Sequence, residues 1–280
     1  MPTVRSHDGV DLHYTVHDFT DPWAEAPTVL LQHGFGRSGK FWFGTIPYLA
    51  RFYRLICPDF RGLGRSSDAF DAASGITVEN YLQDLVKIAD HAEVESFHYV
   101  GESIGGTVGY AFAAAHPARV RTLSVIASPT HINDWMRAAY AAGHPSWPEA
   151  IETLGSAGWA RETNTAARFP ADMDPRFLDW YSSEVGKSPT PVLAAMARMA
   201  LGVNVEPLLP RIQAPLLALF PSAGRIATTE QEEMLRRLVP RVQTVRLRTR
   251  NHMIQMLDPA GCAQAILNFI ALHDGRGCHE

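Results

Sequence analysis

Two stretches of the chain hold residues whose types and spacing suit nucleophilic catalysis. The first is Gly101-Glu102-Ser103-Ile104-Gly105, inside "HYVGESIGGTVGYAFA" (His98 to Ala113), a match to G-x-S-x-G. A serine at a tight strand-to-helix turn is held in a strained backbone that projects its hydroxyl, and small flanking residues let the turn close. The five letters alone occur by chance. Here the context adds weight, because "FHYV" precedes the motif and an apolar helical stretch follows it. The helix N-terminus would favour negative charge developing beside Ser103. A serine hydroxyl needs a base. The chain has 12 histidines, and His252 is singled out by its place. It stands in "TRNHMIQMLDP", past the last expected strand and before the last helix. His33 in "LQHGFG" also follows a strand, and its expected job is to orient its own loop. The glycines of "HGFG" (His33 to Gly36) let backbone N–H groups turn inward. The expected oxyanion donors are the amides of Phe35 and Ile104.

These residues need elements that bring them together. "TVRS" and "DLHYTVHD" read as a hairpin about the turn "HDGV". "TVLLQHG", "YRLICPDF", "SFHYVG", "VRTLSVIASP", "APLLALF" and "VQTVRLRT" read as further strands. Helical stretches lie between most of them. "TVENYLQDLVKIADHA" repeats Tyr81, Leu82, Leu85, Ile88 and Ala89 at helical spacing. Alternating strand and helix implies a mostly parallel sheet covered on both faces, with its active end beyond the carboxyl ends of the strands. From about Thr130 to Leu209 no strand is evident. That stretch is helix-like, divided by prolines and rich in aromatics: Trp135, Tyr140, Trp147, Trp159, Phe169, Phe177, Trp180 and Tyr181, with Met196 and Met199. It is too long for a plain loop, and a helical insertion over the end of the sheet is expected, some of its rings lining an apolar pocket. The tail "HDGRGCHE" reads as frayed.

The bulk properties exclude several partners. With 280 residues and 46% hydrophobic content the chain can bury a sizeable core. Its net charge of −4, without a long basic run, argues against nucleic acid or an anionic membrane. The start "MPTVRSHDGVDLHY" lacks signal-peptide features, and no segment reaches the roughly 18 apolar residues of a spanning helix. Cys57, Cys262 and Cys278 are odd in number and far apart, which fits a reducing cytoplasm; Cys57 and Cys262 are expected as small buried hydrophobes. No metal is implied by the histidine and cysteine spacings, no cofactor is expected, and "GRSGK" (Gly36 to Lys40) lacks phosphate-loop spacing. The expected partner is a small molecule, apolar or aromatic in part.

Taken together, "LLQHGFG", "PDFRGLGRSS", "YVGESIGG", "VRTLSVIASP" and "RNHMIQMLDP" resemble the α/β-hydrolase fold family in order and spacing. Within it the chain is most similar to the capped lactonase, esterase and carbon–carbon bond hydrolase group. The resemblance implies a mostly parallel eight-stranded sheet flanked by helices, with a cap between strands six and seven. The core would be residues 1–129 and 210–273, the cap 130–209 and the tail 274–280. "PDFRGLGRSS" (Pro58 to Ser67) looks like the family's D-x-R-G-x-G-x-S loop, which is mainly structural.

One departure stands out. The family's third catalytic group is an acid after the seventh strand, and alignment puts Gly224 there. The alternative slot after the sixth strand falls near Ala127 or Ser128 and is not acidic either. The acid matters because it fixes the histidine tautomer and stabilises the imidazolium. Asp134, Glu230, a neutral Ser128 or Ser222, or a backbone carbonyl stand as replacements. Glu102 is expected to point away from the path of Ser103 and to be structural. The leading expectation is a serine hydrolase acting on a small ester, lactone or related carbonyl compound through a Ser103 acyl-enzyme. The alternatives are a carbon–carbon bond hydrolase of a ring-cleavage product, a cofactor-free oxygenase, and a ligand-binding relative with reduced catalysis.

Overall fold

The computed structural model describes residues 2–165 and 167–276. Eight strands form one sheet in the order β1-β2-β4-β3-β5-β6-β7-β8. They are β1 (Thr3–Arg5), β2 (Asp11–His17), β3 (Thr28–Gln32), β4 (Arg54–Pro58), β5 (Phe97–Glu102), β6 (Val120–Ile126), β7 (Leu216–Pro221) and β8 (Val242–Leu247). The β1–β2 hairpin joins β4 antiparallel, and every later pairing is parallel. Every residue of β3, β5 and β7 is buried, as strands covered on both faces require.

Two short turns of helix, α1 (Ile46–Leu49) and α2 (Ala72–Gly75), precede α3 (Val78–His91). The Thr77 side chain caps α3 by accepting from the Asn80 amide, and α3 buries Tyr81, Leu82, Leu85, Ile88 and Ala89 on one face. The next helix, α4 (Ile104–Ala115), is buried along eleven of its twelve residues. It packs inside the molecule behind Ser103, so its apolar sequence has no polar face. Between β6 and β7 come α5 (Asp134–Ala141), α6 (Trp147–Glu162), α7 (Pro175–Val185) and α8 (Thr190–Gly202). An isolated antiparallel bridge, His131 to Asn204, closes the neck of this insert, with the Val205 amide donating to the Thr130 carbonyl at 3.0 Å. After β7 follow α9 (Thr229–Leu238), β8, α10 (Ile254–Leu257) and α11 (Pro259–Asp274).

One boundary is corrected. A tail fraying from residue 274 does not hold for Asp274, which ends α11 with its side chain buried. Its carboxylate lies 2.9 Å from His98 Nε2 and 2.7 Å from Arg121 Nη2, tying the helix end to β5 and β6. Arg276 reaches the Glu25 carbonyl. Residues 277–280, Cys278 among them, lie outside the described residues. Cys57 and Cys262 are buried free thiols.

Candidate active site

Ser103 stands between β5 and α4 at φ 53° and ψ −123°, a conformation that L side chains rarely adopt. The glycines around it are required by contact. A Cβ on Gly105 would lie 2.4 Å from the His33 carbonyl oxygen, and one on Gly101 would lie 2.5 Å from the Gly105 carbonyl oxygen. The turn therefore packs backbone against backbone, and the Ser103 amide donates to the Ile126 carbonyl at 2.9 Å. Strain persists here because the surrounding sheet holds it.

His252 meets the serine from the other side. Its Nε2 lies 3.1 Å from Ser103 Oγ, and both side chains are buried. The histidine loop is pinned by the insert rather than by the sheet. The His252 amide donates to the Ala167 carbonyl at 2.9 Å, and the Met253 amide to the Arg168 carbonyl at 3.3 Å. Burial, then the charges of Arg37 and Arg168, hold the imidazole pKa well below its ordinary value. The ring is thus neutral at pH 7 and free to accept a proton at Nε2.

None of the four side chains expected to stand in for the missing acid reaches that ring. His252 Nδ1 is buried without a hydrogen-bond partner among the described residues. Asp134 is exposed at the start of α5, and Glu230 is exposed near the start of α9, where it bonds the Thr228 side chain. Both charges sit where the macrodipole of a helix start favours them. The Ser128 hydroxyl donates to the Ile126 carbonyl (3.1 Å), and the exposed Ser222 hydroxyl to the Arg248 carbonyl (3.0 Å). Gly224 lies in the exposed run 222–225.

The carboxylate that does reach the site is Glu102, which was expected to point away. Its Oε1 is 3.9 Å from His252 Nε2, inside ion-pair range but too long for a hydrogen bond. Its Oε2 is 2.5 Å from Arg37 Nη2, with both side chains almost fully buried. Burial pushes the Glu102 carboxyl up, against the pull of Arg37, Arg168 and the Gly34 amide. The physical reason for the mismatch is Arg37. A buried carboxylate goes where a buried guanidinium can neutralise it, and the "HGFGR" loop delivers one. Arg37 Nη1 also reaches Met253 Sδ at 2.9 Å, beside the histidine.

His33 orients its own loop. Its Nδ1–H donates to the Gly34 carbonyl (2.8 Å), while Nε2 accepts from the Phe60 amide (3.0 Å), and burial pushes its pKa down to about 4. The cavity beside Ser103 is lined by Phe35, Ile104 and His252 from the sheet side, and by Met136, Tyr140, Trp147, Arg168 and Tyr181 from the insert. Of the insert rings named from sequence, Tyr140, Trp147 and Tyr181 face this cavity; Trp159 and Phe169 are buried without lining it. Phe35 packs against Trp147 and Trp159, with ring centres 4.6 and 5.2 Å away. The space measures about 20 Å³, enough for a water molecule. Among the described residues, no group of three or more histidine, cysteine, aspartate or glutamate side chains is placed to hold a metal ion. Nor is any helix long and apolar enough to cross a membrane.

Sequence reasoning missed Arg37, Glu102 and Arg168 as members of the site. Glu102 carried a signal, because it lies within the nucleophile motif. Arg37 follows the glycine loop directly. Arg168 carried none, since its place depends on how the insert folds back.

A strained serine on a strand-to-helix turn, facing a histidine after the last strand of an eight-stranded sheet, defines a class, and comparison with known proteins gives the same class. The profile of the α/β hydrolase fold matches residues 27–259. The chain belongs to the α/β hydrolase fold family, and it is a hydrolase. It is 25% identical over 275 residues to the putative carbamate hydrolase RutD of Stutzerimonas stutzeri, covering 95% of this chain and 98% of that one. It is 32% identical over 147 residues to the putative carbamate hydrolase RutD of Agrobacterium fabrum, a match covering 52% of each. Among solved structures it is similar to the enol-lactonase from Burkholderia xenovorans LB400, with a TM-score of 0.82 at 20% identity, covering 96% of this chain and all of that one.

Proposed function

We propose that the chain is a serine hydrolase that cleaves a small ester, lactone or carbamate-like carbonyl compound through an acyl-enzyme on Ser103. The observation that carries this reading is the 3.1 Å approach of a neutral His252 Nε2 to the hydroxyl of a strained serine. In the first half-reaction His252 takes the proton from Ser103 Oγ as the oxygen attacks the carbonyl carbon. The amides of Phe35 and Ile104, both at the cavity wall, receive the oxyanion. His252 then returns the proton to the leaving group. In the second half-reaction it activates water, and the tetrahedral intermediate collapses to release the acid and free Ser103.

Glu102 replaces part of what the missing acid would do. The imidazolium that forms during attack lies 3.9 Å from Glu102 Oε1, so its charge is met at Nε2 rather than at Nδ1. The ring is oriented by its backbone, held to Ala167, and by burial, in place of a carboxylate at Nδ1.

In this reading residues 130–209 form a cap over a catalytic core of 1–129 and 210–273. Tyr140, Trp147 and Tyr181 make the roof of the site, so the substrate is partly apolar. The buried free thiols of Cys57 and Cys262 fit a reducing compartment, the cytoplasm. The test is labelling with a fluorophosphonate, followed by intact mass. Single labelling of the wild type, lost in Ser103→Ala and His252→Ala, is the expected result. Absence of labelling by both a fluorophosphonate and a smaller sulfonyl fluoride would overturn the reading.

A further inference from the structure

The cavity beside Ser103 contains one positive charge more than its carboxylates balance. Two guanidiniums line it, those of Arg37 and Arg168, both buried. One carboxylate, Glu102, faces them and is taken up by Arg37 at 2.5 Å. Arg168 has no carboxylate at ion-pair distance among the described residues. Its guanidinium carbon sits 4.8 Å from the Trp159 ring centre and 5.0 Å from that of Tyr140, and its Nη1 has no hydrogen-bond partner among the described residues. The Tyr140 hydroxyl also interacts with the guanidinium, and aromatic faces hold it in place, but Nη1 is left unsatisfied. Buried charges are paired, and a buried arginine with an unpartnered Nη1 and no carboxylate beside it is short of an anion.

We propose that Arg168 binds an anionic group of the substrate, a carboxylate, and holds it beside the Ser103–His252 pair. This rests on the serine-hydrolase reading of the same site. A planar guanidinium edge matches a planar carboxylate. The substrate class is therefore a short ester, lactone or carbamate that carries a free carboxylate besides the bond to be cleaved.

The consequence reaches the base. Arg37 and Arg168 surround His252 with positive charge, which opposes the imidazolium that must form during attack. A carboxylate on Arg168 cancels part of that field once the substrate is bound. The substrate thus brings the negative charge that the chain lacks at Gly224. Arg168 is also coupled to the base through its backbone, since its carbonyl accepts from the Met253 amide next to His252.

The experiment compares a carboxylate with its uncharged twin in the full chain. Propanoate and propanamide are titrated into the wild type, Arg168→Gln and Arg168→Lys by calorimetry. Monophenyl succinate and phenyl pentanoate are compared as substrates. The wild type is expected to prefer the anionic member of each pair by about tenfold or more. Arg168→Gln is expected to erase that preference and Arg168→Lys to keep part of it. Equal binding, no binding of propanoate by the wild type, or a preference that survives in Arg168→Gln would overturn the proposal. So would an equal loss of kcat/KM on both esters in Arg168→Gln, which would assign the charge to the transition state. If Arg168→Gln does not fold, the wild-type pair and Arg168→Lys decide. Failure of the serine reading appears separately, as absent Ser103 labelling, and leaves the binding comparison intact.

Discussion

The two halves of the site are built by different means. On the nucleophile side, Ser103 is held by the sheet itself: glycine backbones in contact, an amide bonded to β6, and a buried helix behind it. On the histidine side, the ring has an Nδ1 unpaired among the described residues, no acid in the loop after β7, and a backbone pinned by two carbonyls of the insert. The first half depends on local geometry that very few sequences satisfy. The second depends on charges and contacts supplied by segments far away in the chain. The strained turn has no room for a side chain at Gly101 or Gly105, whereas a base can be oriented in more than one way. That difference explains how the acid can be absent while Ser103 and His252 remain in hydrogen-bond contact.

The sharpest way to break this contrast is at the serine. Ser103→Ala is expected to lower kcat by about 10⁴-fold or more on any ester the wild type cleaves, with the melting temperature little changed. Retained turnover would remove Ser103 from the chemistry.

Glu102→Gln probes the shared charge between the halves. It leaves Arg37 buried and unpaired, so it is expected to destabilise the fold by roughly 3–5 kcal/mol in a urea titration. It is also expected to lower kcat more than it raises KM, because the imidazolium loses its nearest negative charge. A neutral effect on both would make Glu102 a bystander.

Acidification separates the histidines. His33 accepts from the Phe60 amide and titrates at about 4 in the folded state, against about 6.5 when unfolded. The unfolded chain therefore binds its proton first, and stability is lost as pH falls from about 6.5 towards 4, by roughly 3 kcal/mol for this group. His252 also has a depressed pKa, and its neutral form is the active one. Activity is thus expected to stay flat on lowering the pH through 6.5, where an ordinary histidine base would have lost half. A kcat/KM profile with its acid midpoint at 6.5 would show that bound substrate is not needed to tune the base.

The smallest effects are expected where sequence had offered a replacement acid. Asp134→Asn and Glu230→Gln remove exposed charges at helix starts and should leave the melting temperature and kcat nearly unchanged. A large loss of kcat in either would mean that the carboxylate reaches His252 in solution.

Much of this is legible in the sequence. The buried strands announced themselves because residues covered on both faces must be apolar, as in "TVLLQ" and "LLALF". The face of α3 was readable because five apolar residues recur at helical spacing. Asp274 was not, because a charged residue near a chain end looks solvated until its partners, His98 and Arg121, are known. The site divides in the same way.

What the sequence by itself determined is the turn at Ser103, the glycine loop at Phe35 and the position of His252 after the last strand. Each follows from backbone rules acting over a few residues: the room that glycine leaves, the reach of a strand, the start of a helix. Only the tertiary structure decided which charges meet. Glu102 turns towards Arg37, Arg168 lies on Tyr140 and Trp159, and Ala167 holds His252. A buried charge takes the direction of whatever neutralises it, and its partner can sit anywhere along the chain.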